Sequence, residues 1–120
     1  EYTINVINIV IPVTSLELTV DGNAVTDGKY TASAGGRYSK FTGVTVGYIP
    51  TPADANAITS VTYTADNATN FEIDSNGKLT LTGLGKISVL SQLTTNVTVT
   101  VTNADGSTAQ STFKFALTRA

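Results

Sequence analysis

Cysteine, methionine, tryptophan and histidine are all missing from this chain of 120 residues, and each absence removes chemistry. Without cysteine there is no disulfide framework and no thiol nucleophile, so the fold must rest on core packing. Without histidine or cysteine a structural zinc site lacks its usual ligands, and a histidine-based triad cannot be built. Neither a metal nor a cofactor is expected. Charge is sparse, with charged residues at 13%, 7 Lys plus Arg against 9 Asp plus Glu, and a net charge of -2. No basic stripe or polybasic segment forms, so neither nucleic-acid binding nor attachment to an anionic membrane is expected. Long apolar runs are lacking too. The longest, Val6 to Val13, is interrupted by Asn8 and ended by Pro12, well short of the roughly 18 residues of a spanning helix.

What remains is ordinary for a globular domain: 41% hydrophobic residues and a mean hydropathy of +0.11. A chain of this length forms one domain and buries about two-thirds of the surface it exposes unfolded. It opens at Glu1, without Met, directly on strand-like sequence. A processed protein, or a module of a longer one, would open in this way.

The apolar residues recur with period two. Phe71 and Ile73 alternate with Glu72 and Asp74, Leu79 and Leu81 alternate with Lys78, Thr80 and Thr82, and Ser75-Asn76-Gly77 lies between. Asn76 and Gly77 supply the positive φ angles of a tight hairpin turn. A second hairpin follows, with Val97, Val99 and Val101 inward, Asp105 and Gly106 at the turn, and Ser111, Phe113, Phe115 and Leu117 inward on the return. Further strands are expected at Ser15–Val20, Lys29–Thr31, Phe41–Ile49 and Ile58–Ala65, and the stretch Pro50–Asn56 reads as a stiff loop closed to ladder bonding. From Tyr2 to Ile11 the apolar phase switches faces, which suggests a bulge or a strand covered on both sides. Lys86–Leu90 is a less regular apolar run. Helical spacing is absent, so the expectation is an all-β sandwich of two antiparallel sheets with seven to nine strands. Residues 1–12 are an N-terminal linker or edge strand, and residues 13–120 the sandwich.

Several stretches resemble bacterial immunoglobulin-like domains of the invasin and intimin type, which also occur on phage virion proteins. They are Val13-Thr14-Ser15-Leu16-Glu17-Leu18, Pro52-Ala53-Asp54-Ala55, Val61-Thr62-Tyr63-Thr64-Ala65-Asp66-Asn67, Ile73-Asp74-Ser75-Asn76-Gly77-Lys78-Leu79-Thr80 and Gly85-Lys86-Ile87-Ser88-Val89. A cadherin-like domain is a second resemblance, carried by Phe71-Glu72-Ile73-Asp74 and by the tail Val97–Leu117 with Asp105-Gly106 at its turn. The acidic calcium motifs of cadherin repeats are missing, so calcium is not inherited from it. Both resemblances imply an immunoglobulin-like sandwich without catalysis. They point to a structural or adhesive module of a larger bacterial surface or phage virion protein, located outside the cell. Its partners would be neighbouring domains or subunits, or a host-surface protein or glycan. The alternative is a carbohydrate-binding β-sandwich attached to a secreted enzyme, although the stacking aromatics of such modules are scarce here.

Individual residues fit the same picture. Asp54, Asp66, Asp74 and Asp105 fall in turns, where a carboxylate bonds nearby backbone N–H groups. The loop Gly35–Lys40 is the best binding candidate, because Arg37, Tyr38 and Lys40 are interface-type side chains on a glycine-rich segment. Lys114 is the strand lysine for an isopeptide bond, but alternation turns it outward. The N-terminal strand is weighed between pairing within its own domain and adding to a neighbour. Asn67-Ala68-Thr69 and Asn96-Val97-Thr98 match glycosylation sequons, which threonine-rich strands produce by chance.

Overall fold

The computed structural model describes residues 11–82 and 92–119. The expected strand over Tyr2–Ile11, except its last residue, and the Lys86–Leu90 run lie outside them. Among the described residues nine strands form two sheets: β1 Ser15–Val20, β2 Asn23–Ala24, β3 Lys29–Ser33, β4 Val44–Thr51, β5 Ile58–Ala65, β6 Phe71–Ile73, β7 Lys78–Leu81, β8 Gln92–Asn103 and β9 Thr108–Thr118. One sheet has the order β2-β1-β4-β7-β6 and the other β3-β9-β8-β5. The protein is an all-β, immunoglobulin-like sandwich.

The period-two pattern explains which faces meet. Leu93, Val97, Val99, Val101, Phe113, Phe115 and Leu117 from one sheet are buried against Leu16, Leu18, Val20, Val44, Val46, Phe71 and Leu79 from the other. Alternation puts every second side chain on one face, so burying that face fixes the register. Phe115 is the hub. Tyr30 stacks on it at 6.3 Å, Phe41 lies tilted at 6.2 Å, and Phe71 reaches it edge-on from the opposite sheet at 6.0 Å. Edge-to-face and offset contacts at these separations suit the ring quadrupoles. The hairpin Phe71–Thr82 is thereby joined to the second hairpin.

The sheets differ from expectation in one pairing. β3 runs parallel to β9, with Lys29 beside Lys114 and Ser33 beside Thr118, whereas every other ladder among the described residues is antiparallel. The cause is a crossover: the turn at Asp27 and Gly28, both at positive φ, carries the chain from β2 to the opposite sheet, where it enters alongside β9. The strand is longer than Lys29–Thr31 because this pairing extends it to Ser33. β4 also differs, starting at Val44 rather than Phe41 and running through Pro50 to Thr51. Pro50 is tolerated because β7 meets β4 only at Val44 and Thr45. The missing N–H therefore falls where, among the described residues, no strand pairs with that side of β4.

Both hairpin turns share one construction. Gly77 N donates to Asp74 O at 3.1 Å, and Gly106 N to Asn103 O at 2.9 Å. Each glycine has positive φ, 84° and 87°. These are longer turns closed by a single left-handed glycine. Asn76 does not take the positive φ expected of it. The organising side chain is Asp74, whose Oδ1 accepts from Asn76 N and Lys78 N, both at 2.9 Å.

Candidate functional site

The loop expected to bind is pinned to the end of β9. Ala34 N donates to Thr118 O at 2.8 Å, Gly36 N to Arg119 O at 2.6 Å, and residues Tyr38–Lys40 form a short 3-10 turn. Tyr38 is not a presented anchor, since only 3% of it is exposed. One 3-10 turn places residues three apart on the same side, so Tyr38 and Phe41 both face the core. That spacing was the signal for burial. Its hydroxyl meets no hydrogen-bond partner among the described residues. Burial raises its pKa, with the Arg119 charge opposing more weakly. Arg37 and Lys40 remain exposed, and Lys40 Nζ donates to Gly35 O at 3.4 Å.

This loop occupies one pole of the sandwich. Beside it lie the C-terminal end of β9 and Gln92, which pairs with Thr118. The opposite pole holds the β8–β9 turn and the segment before β4's partner strand β1. There Asn103, 2% exposed, accepts from Val13 N at 3.0 Å through Oδ1 and donates to Val13 O at 3.2 Å and Ser107 Oγ at 3.1 Å through Nδ2. An amide has one acceptor and two donors to give, so Asn103 satisfies a backbone segment as a neighbouring strand would. The sequence showed it only as a turn residue. Nearby, Asn56 Oδ1 accepts from Ile11 N at 2.7 Å, and Asn56 N donates to Ile11 O at 3.0 Å.

Among the described residues the poles carry opposite charge. Arg37, Lys40 and Arg119 stand at the first, with no acid in 33–40 or 118–119. Asp54 and Asp105 stand at the second, with no Lys or Arg in 11–14, 51–57 or 103–108. β9 has 11 residues, which separates the poles by about 35 Å.

Of the carboxylates expected to bond nearby backbone, Asp74 and Asp105 do so, whereas Asp66 reaches across to β8. Asp105 accepts from Ser107 N at 2.9 Å and from Ser107 Oγ, and these bonds lower its pKa. Asp66 accepts from Asn96 N at 2.8 Å, Asn96 Nδ2 at 2.9 Å and Thr95 Oγ1 at 3.1 Å. Its pKa is lowered first by the backbone bond from Asn96, then by that residue's side chain. Register sets Lys114 opposite Asn96, which brings an isopeptide trio of lysine, asparagine and carboxylate to one face. The groups are exposed and the carboxylate is held ionised, whereas amide exchange needs a buried acid able to supply a proton. Among the described residues no three acidic side chains gather as metal ligands, and no helix is long and apolar enough to cross a membrane.

A shallow hollow of about 210 Å³ lies on the outer face of the β3-β9-β8-β5 sheet, lined by Lys29, Thr31, Gln92, Thr94, Lys114 and Ala116. Lys29 and Lys114 are register neighbours. Sequence reading missed this pair because it arises only from the parallel pairing.

No known family profile and no curated protein matches the chain. Among solved structures, it is similar to the crystal structure of mouse protocadherin-24 EC1-3, with a TM-score of 0.58 and 20% identity over 92% of this chain and 36% of that one. The chain spans about a third of the length of that structure. The likeness carries the sandwich fold and supports the cadherin-like resemblance at the level of architecture.

Proposed function

We propose that this chain is a non-catalytic immunoglobulin-like module of a larger extracellular protein, of a bacterial surface or phage virion, acting as a spacer or assembly contact. The observation that carries the reading is the placement of the chain at the two poles. Val13 is clamped to Asn103 at one pole, and Thr118 is tied to Ala34 at the other. A module whose first described strand starts at one pole and whose last described strand ends at the other can extend a series by its full length, whereas strand ends at one pole would fold a series back on itself. The likeness to a structure with several EC domains supports this reading through the fold alone. Small-angle scattering of two copies joined end to end is expected to give an elongated particle; a compact side-by-side pair would overturn the spacer reading. Neighbouring domains or subunits are the proposed partners, and Arg37 and Lys40 are the exposed survivors of the binding loop through which a host-surface protein or glycan would be met.

One observation favours the second reading, a carbohydrate-binding sandwich. The hollow at Lys29 and Lys114 offers two ammonium groups with Thr31, Gln92 and Thr94, donors suited to a carboxylated or sulfated sugar. Amide shifts confined to this hollow on titration with a sulfated oligosaccharide, and lost in Lys29→Ala with Lys114→Ala, are its expected result. A wild-type spectrum that stays unchanged would discard it.

A further inference from the structure

The opposite charge of the two poles identifies a partner. We infer that the basic pole of one copy docks on the acidic pole of the next, so that the partner at each end is a second copy of this chain. The inference rests on the spacer reading and specifies the contact within it.

Arg37, Lys40 and Arg119 share the pole at the end of β9, and Asp54 and Asp105 share the pole at its start. These residues come from four separate stretches of chain, and the fold sorts them by sign. Arg37, Lys40, Asp54 and Asp105 are exposed. Asp105 has its pKa lowered by Ser107, so it stays charged well into the acid range. A surface of one sign repels its own copy, whereas poles of opposite sign on one body attract unlike pole to unlike pole, and where the pole surfaces meet end-on the copies lie head to tail. Such a contact uses two different patches, does not close on itself, and therefore builds rows rather than symmetric dimers. The contact is polar and exposed, so charge supplies orientation and encounter rate more than strength, and salt screens it.

The test uses the chain itself in sedimentation velocity. Wild type is expected to show an average mass that rises with concentration beyond the dimer in about 20 mM salt, with association weakened about tenfold or more in about 0.5 M salt. Arg37→Glu with Lys40→Glu makes the basic pole net negative, so both poles repel. Asp54→Lys with Ala104→Lys makes the acidic pole net positive and leaves the Asp105 turn intact; Ala104 is exposed and bonds only through its backbone. Each variant alone should stay monomeric, and an equimolar mixture should associate again. Unchanged melting temperatures confirm folded variants. The inference is overturned by a wild type that remains monomeric in low salt, by pole-reversed variants that associate like wild type, or by a mixture that does not recover. None of these results would touch the elongated scattering of covalently joined copies, so the spacer reading stands or falls separately.

Discussion

Gly77 and Gly106 hold almost the same backbone angle, 84° and 87°, yet their surroundings differ. A Cβ at Gly106 would meet nothing within 4 Å, whereas at Gly77 it would meet the Val46 carbonyl oxygen and, at 2.9 Å, the Tyr63 ring. Gly106→Ala should therefore cost only the left-handed backbone term, about 1–2 kcal/mol. Gly77→Ala adds a collision with backbone and should cost about 3 kcal/mol or more, as read by denaturant unfolding. The Gly77 turn is thus a packing element between the sheets as well as a reversal. Asp66 supplies a pH prediction. Its pKa is lowered in the folded state, so its stabilising bonds are fully present above the unfolded value near 4 and are lost as pH falls through the folded value. The melting temperature should drop on acidification below about pH 4, and Asp66→Asn should flatten that drop. Asp74 and Asp105 were legible in the sequence because they bond backbone N–H groups two to four residues on, whereas the Asp66 bond to Asn96, 30 positions away, was not. Tyr38 and Asn103 were not, because the partners that bury them lie far along the chain, as with Val13 and Asn103, 90 positions apart.

At the scale of strands, β8 from Asn96 and β9 were the most legible, since apolar and outward-facing residues alternate over Val97–Thr102 and Ser111–Leu117; the first four residues of β8, from Gln92, were not, because Thr94, Thr95 and Asn96 carry no apolar period. The core face nevertheless extends beyond the apolar residues. Thr95 is buried, and its hydroxyl donates to Asp66 while accepting from Asn67 N at 3.1 Å. A satisfied hydroxyl is tolerated where an unpaired one would be costly. The direction of β3 was not legible, because residue pattern says which side of a strand is buried and nothing about which neighbour it joins. The join between the N-terminal segment and the β8–β9 turn depends on Asn103. Asn103→Ala would strip partners from the buried backbone of Val13, for about 2–3 kcal/mol of lost stability. Hydrogen exchange should locate the loss at the Val13 amide, ahead of any general opening.

For the molecule as a whole, the separation of the poles was hidden from the sequence, although every charge was visible in it. Charges gathered from distant stretches acquire a geometry only after folding. Two copies joined in series should reach a maximum dimension of about 110 Å, the 75 Å extent of one chain lengthened by the span of about 35 Å that β9 sets at its rise per residue. A side-by-side pair would measure little more than one copy. The net charge of -2 gives no hint of this dipole.

The parallel ladder between β3 and β9 has a mechanical meaning as well. Tension applied through the two poles would run along the strands, while the hydrogen bonds of β9 to β8 over Thr108–Thr118 and to β3 over Lys114–Thr118 lie across them. Pulling β9 out by its C-terminal end would shear both ladders together instead of unzipping them one bond at a time. The arrangement makes β9 a bolt held on two sides, and its resistance to force should exceed what its equilibrium stability alone would suggest.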